Sequence, residues 1–251
     1  MTMESNGMIM NKIQLIDLGL PSGTLWADRN LGAMKPEDTG LYFRFGELQP
    51  LTEDSEAYIP VPFSEEYDWK NGNDNTNIAC TIYDVAQMRF NINSCIPNLT
   101  QINELIECCN KEYTKITGTE GMKFTGPNGN YIFMPAGGRM ENGFWAGKDT
   151  ISIVNEYGPE DENNKEIEIW GFYWGSNRIR YFREASYRKA SAAAVSLAFS
   201  KDSAITEPAR CRQGLFIRPT RYVNQSDNKW MEKFYLTDRR NNKYIQVSQV
   251  N

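Results

Sequence analysis

The chain of 251 residues contains no histidine. That removes the usual general base near neutral pH and the commonest metal ligand, so a histidine-based triad and a histidine-containing zinc site are excluded. Cysteine is scarce: Cys80, Cys95, Cys108, Cys109 and Cys211, with no Cys-x-x-Cys pair. These five are too few and too unevenly spaced for a disulfide scaffold, and they lack the spacing of a zinc knuckle. Cys108 and Cys109 fall in an expected helix and read as reduced, partly buried thiols, which makes the compartment of folding reducing. The opening stretch MTMESNGMIMNKIQ has no basic start followed by an apolar run, and no segment is long enough to span a bilayer. Synthesis in a cytoplasm, without export and without membrane insertion, is therefore expected. An excess of positive charge is missing too. The formal net charge is −5 and the pI near 5.1, which argues against a general nucleic-acid binder, because phosphate contact needs a basic face.

What is present is an ordinary globular balance, 40% hydrophobic and 24% charged, in a chain long enough to bury a sizeable core. Residues 1–12 read as a polar arm, 13–223 as one domain and 224–251 as an extension with the composition of a docking arm. Within the domain, Ile13 to Leu18 and Thr24 to Asn30 read as strands flanking a Gly-Leu-Pro-Ser-Gly turn, and Leu41 to Phe45 as a third. Leu51 to Thr76 is a long irregular loop, of the kind that is functional or held by a partner. Tyr83 to Phe90 has short helical character. Gln101 to Asn110 is the clearest helix, with Thr100 as its expected cap and Ile102, Leu105, Ile106 and Cys109 at helical spacing. Met122 to Thr125 and Tyr131 to Met134 form a hairpin signal around Gly126-Pro127-Asn128-Gly129. The tail offers two more short strands, KFYLTD and KYIQVSQ.

The stretch from Gly171 to Pro219 organises the rest. It opens on Phe172, Tyr173 and Trp174 beside small residues, then presents Arg178, Arg180, Tyr181, Arg183, Tyr187 and Arg188. Ala193 to Phe199 alternates as a half-buried strand does, and Leu215 to Pro219 is a short apolar strand stopped by proline. Tyrosine and arginine are the residues that contact surfaces use most, because they supply large area or several donors at little entropic cost. The aromatic triplet reads first as core, whereas the arginines read equally as solvated surface and as a contact surface.

An ordered series of short motifs carries a family resemblance. It comprises Ile16 to Ala27 (IDLGLPSGTLWA), Asn30 to Ala33, Tyr42-Phe43 with Gly46-Glu47, and a Pro-x-x-Thr helix start at Pro97. It continues with Thr125 to Gly137, Gly171 to Ser176 and Gly214 to Pro219. Together these resemble the major-paralogous-domain (FISUMP-type) proteins of gut anaerobes and their phages, over roughly Ile13 to Val223. The chain departs from that pattern at Ser94-Cys95-Ile96, where Trp-Arg is usual, at Gly175, where serine is usual, and in the tail after Val223. The resemblance implies an α+β, C-type-lectin-like fold: mixed, mainly antiparallel twisted sheets with one or two helices and long loops. It further implies a ligand-binding surface at Trp174, Ser176, Asn177, Arg178, Arg180, Tyr181, Arg183, Tyr187 and Arg210.

The reading that follows is a non-catalytic virion protein, a fibre, tail or capsid appendage that attaches to a host-surface glycan or protein. Its arms are expected to dock on other virion proteins, in a homo-oligomer with a trimer favoured, since free polar ends stay disordered unless tied down. A purely structural decoration subunit and a bacterial cell-surface adhesin are the alternatives. An enzyme is not expected. Cys95, Cys108, Cys109 and Cys211 read as buried small hydrophobes, and the pairs Asp161-Glu162 and Glu166/Glu168 as solvated loop charges. No cofactor or metal is expected. Asn71 to Asn77 (NGNDNTN) is the one calcium candidate, and it departs from the EF-hand pattern.

Overall fold

The computed structural model describes residues 13–52, 55, 77–89, 93–143, 150–154, 169–181, 191–221, 234–238 and 243–247. Strands β1 (Leu15–Asp17) and β2 (Leu25–Ala27) pair antiparallel across the expected turn. Helix α1 (Val85–Arg89) is short and α2 (Leu99–Cys108) has ten residues. The cap of α2 is Asn98, not Thr100. The Asn98 side chain accepts from the Gln101 amide at 3.0 Å, while Gln101 Oε1 accepts from the Asn98 amide at 2.8 Å. This is a full capping box, hidden in the sequence by a two-residue error of frame. A meander follows, β3 (Asn110–Ile116), β4 (Thr119–Thr125) and β5 (Tyr131–Pro135), whose second hairpin matches the sequence signal. Next come β6 (Arg139–Gly143), paired with β7 (Thr150–Val154), and the long strands β8 (Gly171–Tyr181), β9 (Ser191–Ser200) and β10 (Ser203–Arg210). β11 (Thr220–Arg221) returns to pair with β2, and β12 (Phe234–Asp238) pairs with β13 (Lys243–Val247) as the tail pattern predicts. All the paired strands run antiparallel, so the described protein is β-rich with two short helices.

The sheet β10-β9-β8 lies at the centre. Its alternation separates two cores, whereas the sequence reading expected one core face and one wet face. Tyr173, Ile179, Ala193, Val195, Leu197 and Phe199 face a cluster built with α2 and the meander. Phe172, Trp174, Ala194 and Ala198 face a second cluster containing Phe43, Phe45, Val85, Leu215 and Ile217. Large side chains of β9 serve the first core. Alanines and serines serve the second, leaving room for Phe172 and Trp174 of β8. Each large side chain so enclosed contributes about 1.5–3 kcal/mol relative to exposure.

Leu41 to Phe45 and Leu215 to Pro219 are not regular strands. Phe43 bridges Pro50 and Leu215, and Phe216 bridges Tyr173. Main-chain bonds Phe43 N to Leu215 O, Phe216 N to Phe172 O and Trp174 N to Phe216 O (2.9–3.0 Å) thread these two segments between their neighbours.

Three polar clamps join the motif pieces. Ser22 Oγ donates to Glu104 Oε2 at 2.6 Å and Gln101 Nε2 to Thr24 Oγ1 at 2.8 Å, fixing the first turn onto α2. Asn128 and Asn130 both donate to the Asp17 carbonyl, so the second turn rests on the end of β1. A Cβ at Gly126 would lie 2.0 Å from the Leu18 carbonyl oxygen, which is why only glycine fits that approach. The third clamp is Arg218, wholly buried. Its guanidinium donates to Asn30 Oδ1 (2.8 Å), Ala27 O (2.9 Å) and Phe133 O (2.7 Å). Asn30 in turn donates to the Thr39 carbonyl and the Tyr173 hydroxyl, and that hydroxyl donates to Pro135 O at 2.7 Å.

Among the described residues, no helix is long and apolar enough to cross a membrane.

Candidate functional site

The predicted contact residues begin in β8, and its start is set by packing. A Cβ at Gly171 would meet the Phe199 ring at 2.2 Å, and one at Gly175 would meet Ile102 Cδ1 at 2.9 Å and Val195 Cγ1 at 3.1 Å. The backbone of β8 is thus pressed onto β9 and α2. The pairing with β9 shifts register between Trp174 and Arg178, a bulge that spends the intervening residues on contacts with another segment.

At that bulge the sequence-predicted residues do structural work. Trp174 is 0% exposed. Its indole donates to Phe43 O at 2.7 Å and stands edge-on to Phe45 at 5.5 Å. Ser176 is also enclosed; its amide donates to Pro97 O at 2.8 Å and its carbonyl accepts from the Ile78 amide at 3.0 Å. Asn177 is half-buried and accepts through Oδ1 from the Leu99 amide at 2.7 Å, which occupies one of the free donors at the start of α2. Arg178 is 3% exposed, opposite Ala194. These four residues hold the strand in place, and Trp174, Ser176 and Arg178 present almost no surface to a ligand.

Of the remaining predicted residues, Arg180, Tyr181 and Arg210 are placed at one end of the sheet. Arg180 and Tyr181 sit in register with Ala192 and Ser191. Arg210, half-buried at the end of β10, is paired with Ala193. Arg183 and Tyr187 lie outside the described residues, in the connection whose two ends are the paired Tyr181 and Ser191. Most of the calcium candidate, residues 71–76, also lies outside them, as do Asp161, Glu162, Glu166, Glu168 and the arm 1–12. Asn77 bridges Asn177, and its side chain accepts from the Ala79 amide.

A second constellation was not anticipated. Cys80 and Cys95 form a disulfide, whereas the sequence reading had no disulfide scaffold, Cys95 as a buried small hydrophobe and a reducing compartment of folding. Cys108, Cys109 and Cys211 stand outside that disulfide as thiols; Cys109 and Cys211 are buried as expected, but Cys108 is exposed. Burial pushes the Cys109 thiol up to about 11, with Cys108 beside it adding to the shift, so it is protonated and unreactive near neutrality. Asp84 lies against the disulfide, its carboxylate and the two sulfurs all within 4.8 Å. Asp84 is wholly buried and accepts four backbone N–H bonds: Cys80 and Ile96 on one oxygen, Ala86 and Gln87 on the other. Burial moves its carboxyl above the ordinary carboxylate range, and the four donors oppose that shift. With its oxygens so engaged and the sulfurs joined, the trio is a staple in this state. The readable signal was an aspartate immediately before the apolar pair Val85-Ala86, an N-cap position for α1.

Elsewhere an open depression of about 710 Å³ is lined by Asp17, Asp28, Glu37, Asn130, Tyr131 and other residues. Two of its carboxylates are committed. Asp28 holds the Arg29 guanidinium through both oxygens (2.8 and 3.0 Å), and Asp17 accepts from the Gly19 amide.

The chain matches no protein-family model, no curated protein and no solved structure. What the geometry establishes is a β-rich, antiparallel protein with a doubly buried central sheet.

Proposed function

We propose that this is a non-catalytic virion protein of lectin-like type, a fibre, tail or capsid appendage, that attaches to a host-surface glycan or protein through the end of the β8–β9 hairpin. The supporting observation is the pairing of Tyr181 with Ser191. It roots the segment FREASYRKA, with Arg183, Tyr187, Arg188 and Lys189, on two strands that are buried on both faces through Ile179 and Ala193. Arg210 ends at the same edge. Phenol rings stacking on sugar faces, with guanidinium donors to hydroxyls, supply the recognition chemistry. Several copies in an oligomer offset weak single-site affinity.

Purified protein should bind host cells or a defined set of arrayed glycans. The combined variant Arg180→Ala/Tyr181→Ala/Tyr187→Ala should lose that binding while keeping its unfolding midpoint. Undiminished binding by the triple variant removes the assigned surface.

The Cys80–Cys95 disulfide favours a final location in oxidising surroundings, which a virion exterior and a bacterial cell surface both provide. Cryo-microscopy of purified particles separates these two readings. It also separates attachment from pure decoration, because a hairpin end covered by another subunit has no receptor role.

A further inference from the structure

We propose that Cys80 and Cys95 form a redox-operated clamp on the β8 bulge, loose while the pair is reduced and tight once it is oxidised. Its regulatory use rests on the attachment reading above, since the clamped strand leads to the proposed surface; the clamp itself does not.

The bulge residues Ser176 and Asn177 are gripped by both ends of one excursion of the chain. At its start, Asn77 bridges Asn177 and the Ile78 amide donates to Ser176 O. At its end, Pro97 O accepts from the Ser176 amide and the Leu99 amide donates to Asn177 Oδ1. Cys80 follows Ile78 by two residues, and Cys95 precedes Pro97 by two. The disulfide therefore closes the excursion just inside its two points of grip, across a separation of 15 residues.

The surroundings prepare the pair for closure. Asp84 binds the Cys80 and Ile96 amides through one oxygen, which holds the two cysteine backbones side by side whether or not the sulfurs are joined. Cys95 is fixed further by reciprocal main-chain bonds with Thr220 at 2.8 Å. Cys80 is exposed, and its φ of 57° lies in the left-handed region that non-glycine residues avoid. Without the covalent link it is the partner that is free to relax. The asymmetry fixes the order of reaction. The exposed Cys80 thiolate attacks a small-molecule disulfide such as oxidised glutathione, forming a mixed disulfide and expelling one thiol. The Cys95 thiolate then attacks the Cys80 sulfur and expels the second. One disulfide is consumed and one formed, and the two cysteine protons pass to the two released thiols.

The test uses the full chain, reduced by a phosphine or oxidised with glutathione disulfide, without added ligand. Thiols are counted by mass spectrometry, and amide exchange is followed at Ile78, Cys95 and Ser176. Oxidation should remove two thiols and slow exchange at these amides by roughly 100-fold, the entropic effect of closing a loop of this length. Amides of the meander, such as Phe124 and Ile132, should change little. In Cys80→Ser the exchange rates should match those of the reduced chain under both conditions. Equal exchange in the two redox states, or all five thiols persisting under glutathione disulfide, overturns the proposal. So does restoration of protection in the reduced chain by one equivalent of Zn²⁺, which would make the trio a metal site. Loss of host-surface binding in both redox states would defeat the attachment reading and leave the clamp standing.

Discussion

Arg218 offers the sharpest test of how this fold is held. Its guanidinium is wholly enclosed and donates to Asn30 Oδ1, Ala27 O and Phe133 O, acceptors from three different parts of the chain. Burial pulls its pKa down to about 10 from 12.5, and the Tyr173 hydroxyl and Asp28 resist that fall. A depression of that size corresponds to about 3 kcal/mol disfavouring the charged form. Arg218→Met removes this cost and orphans three buried acceptors, at about 1–3 kcal/mol each. The acceptors outweigh the relief, and the net expected loss is about 3 kcal/mol. For a chain of this size that lowers the melting midpoint by about 6–12 °C. Urea titration followed by tryptophan fluorescence reads it directly, since Trp26, Trp170 and Trp174 are all buried. The denaturant slope should stay unchanged. Arg218→Lys should be nearly as damaging, because one ammonium cannot reach acceptors spread across a guanidinium fork. A loss below about 1 kcal/mol, or a gain, would refute the reasoning; the site would then behave like buried ion pairs whose apolar replacements are more stable.

Two further outcomes follow from the packing and the ionisations. Gly175→Ser puts a Cβ 2.9 Å from Ile102 Cδ1, so a cost of about 1–3 kcal/mol is expected, and Ile102→Val should recover part of it in a double-mutant cycle. Burial pushes the phenols of Tyr42 and Tyr173 up to about 12, above their value near 10 in the unfolded chain. The stability they confer is complete below about pH 10 and is lost as pH rises through about 12, whereas the lowered pKa of Arg218 acts in the opposite sense over the same range. Tyr42→Phe should therefore make the fall in stability less steep, by up to about 1.4 kcal/mol per pH unit between pH 10 and 12, in urea titrations across that interval. An unchanged slope would mean that the Tyr42 phenol ionises freely in the folded protein.

The parts of the fold legible in the sequence are those whose signals are local. The β4–β5 hairpin, α2 and the tail hairpin each carry their own turn or periodicity; the two hairpins formed where expected, and α2 two residues earlier than expected. The strands β3 and β10 were missed because their residues do not look like strand interiors. NKEYTKI is mostly exposed and polar, and SAITEPAR contains Pro208, which is tolerated because β10 is an edge strand of its sheet. The disulfide was missed for another reason. Cys80 and Cys95 look unrelated until Asp84 draws the Cys80 and Ile96 amides onto one oxygen, and that is a three-dimensional fact.

The candidate site divides along the same line. Alternation in β9 was visible, but a period of two shows only that the faces differ; it cannot say that one is wet. Here the small-residue face of β9, Ala194, Ser196, Ala198 and Ser200, is as buried as the large-residue face, because Trp174, Phe172 and the 215–217 segment fill the space that small side chains leave. A strand enclosed on both faces cannot offer a ligand its mid-strand side chains. Trp174, Ser176 and Arg178 are therefore held inside the fold, and the last enclosed pair before the strand ends is Ile179 with Ala193. The ordered motif pieces, in turn, converge on one point. Asn30, Tyr173 and Arg218, far apart in sequence, share a single buried hydrogen-bonded network, so what they specify together is the seating of the central sheet rather than the identity of a ligand.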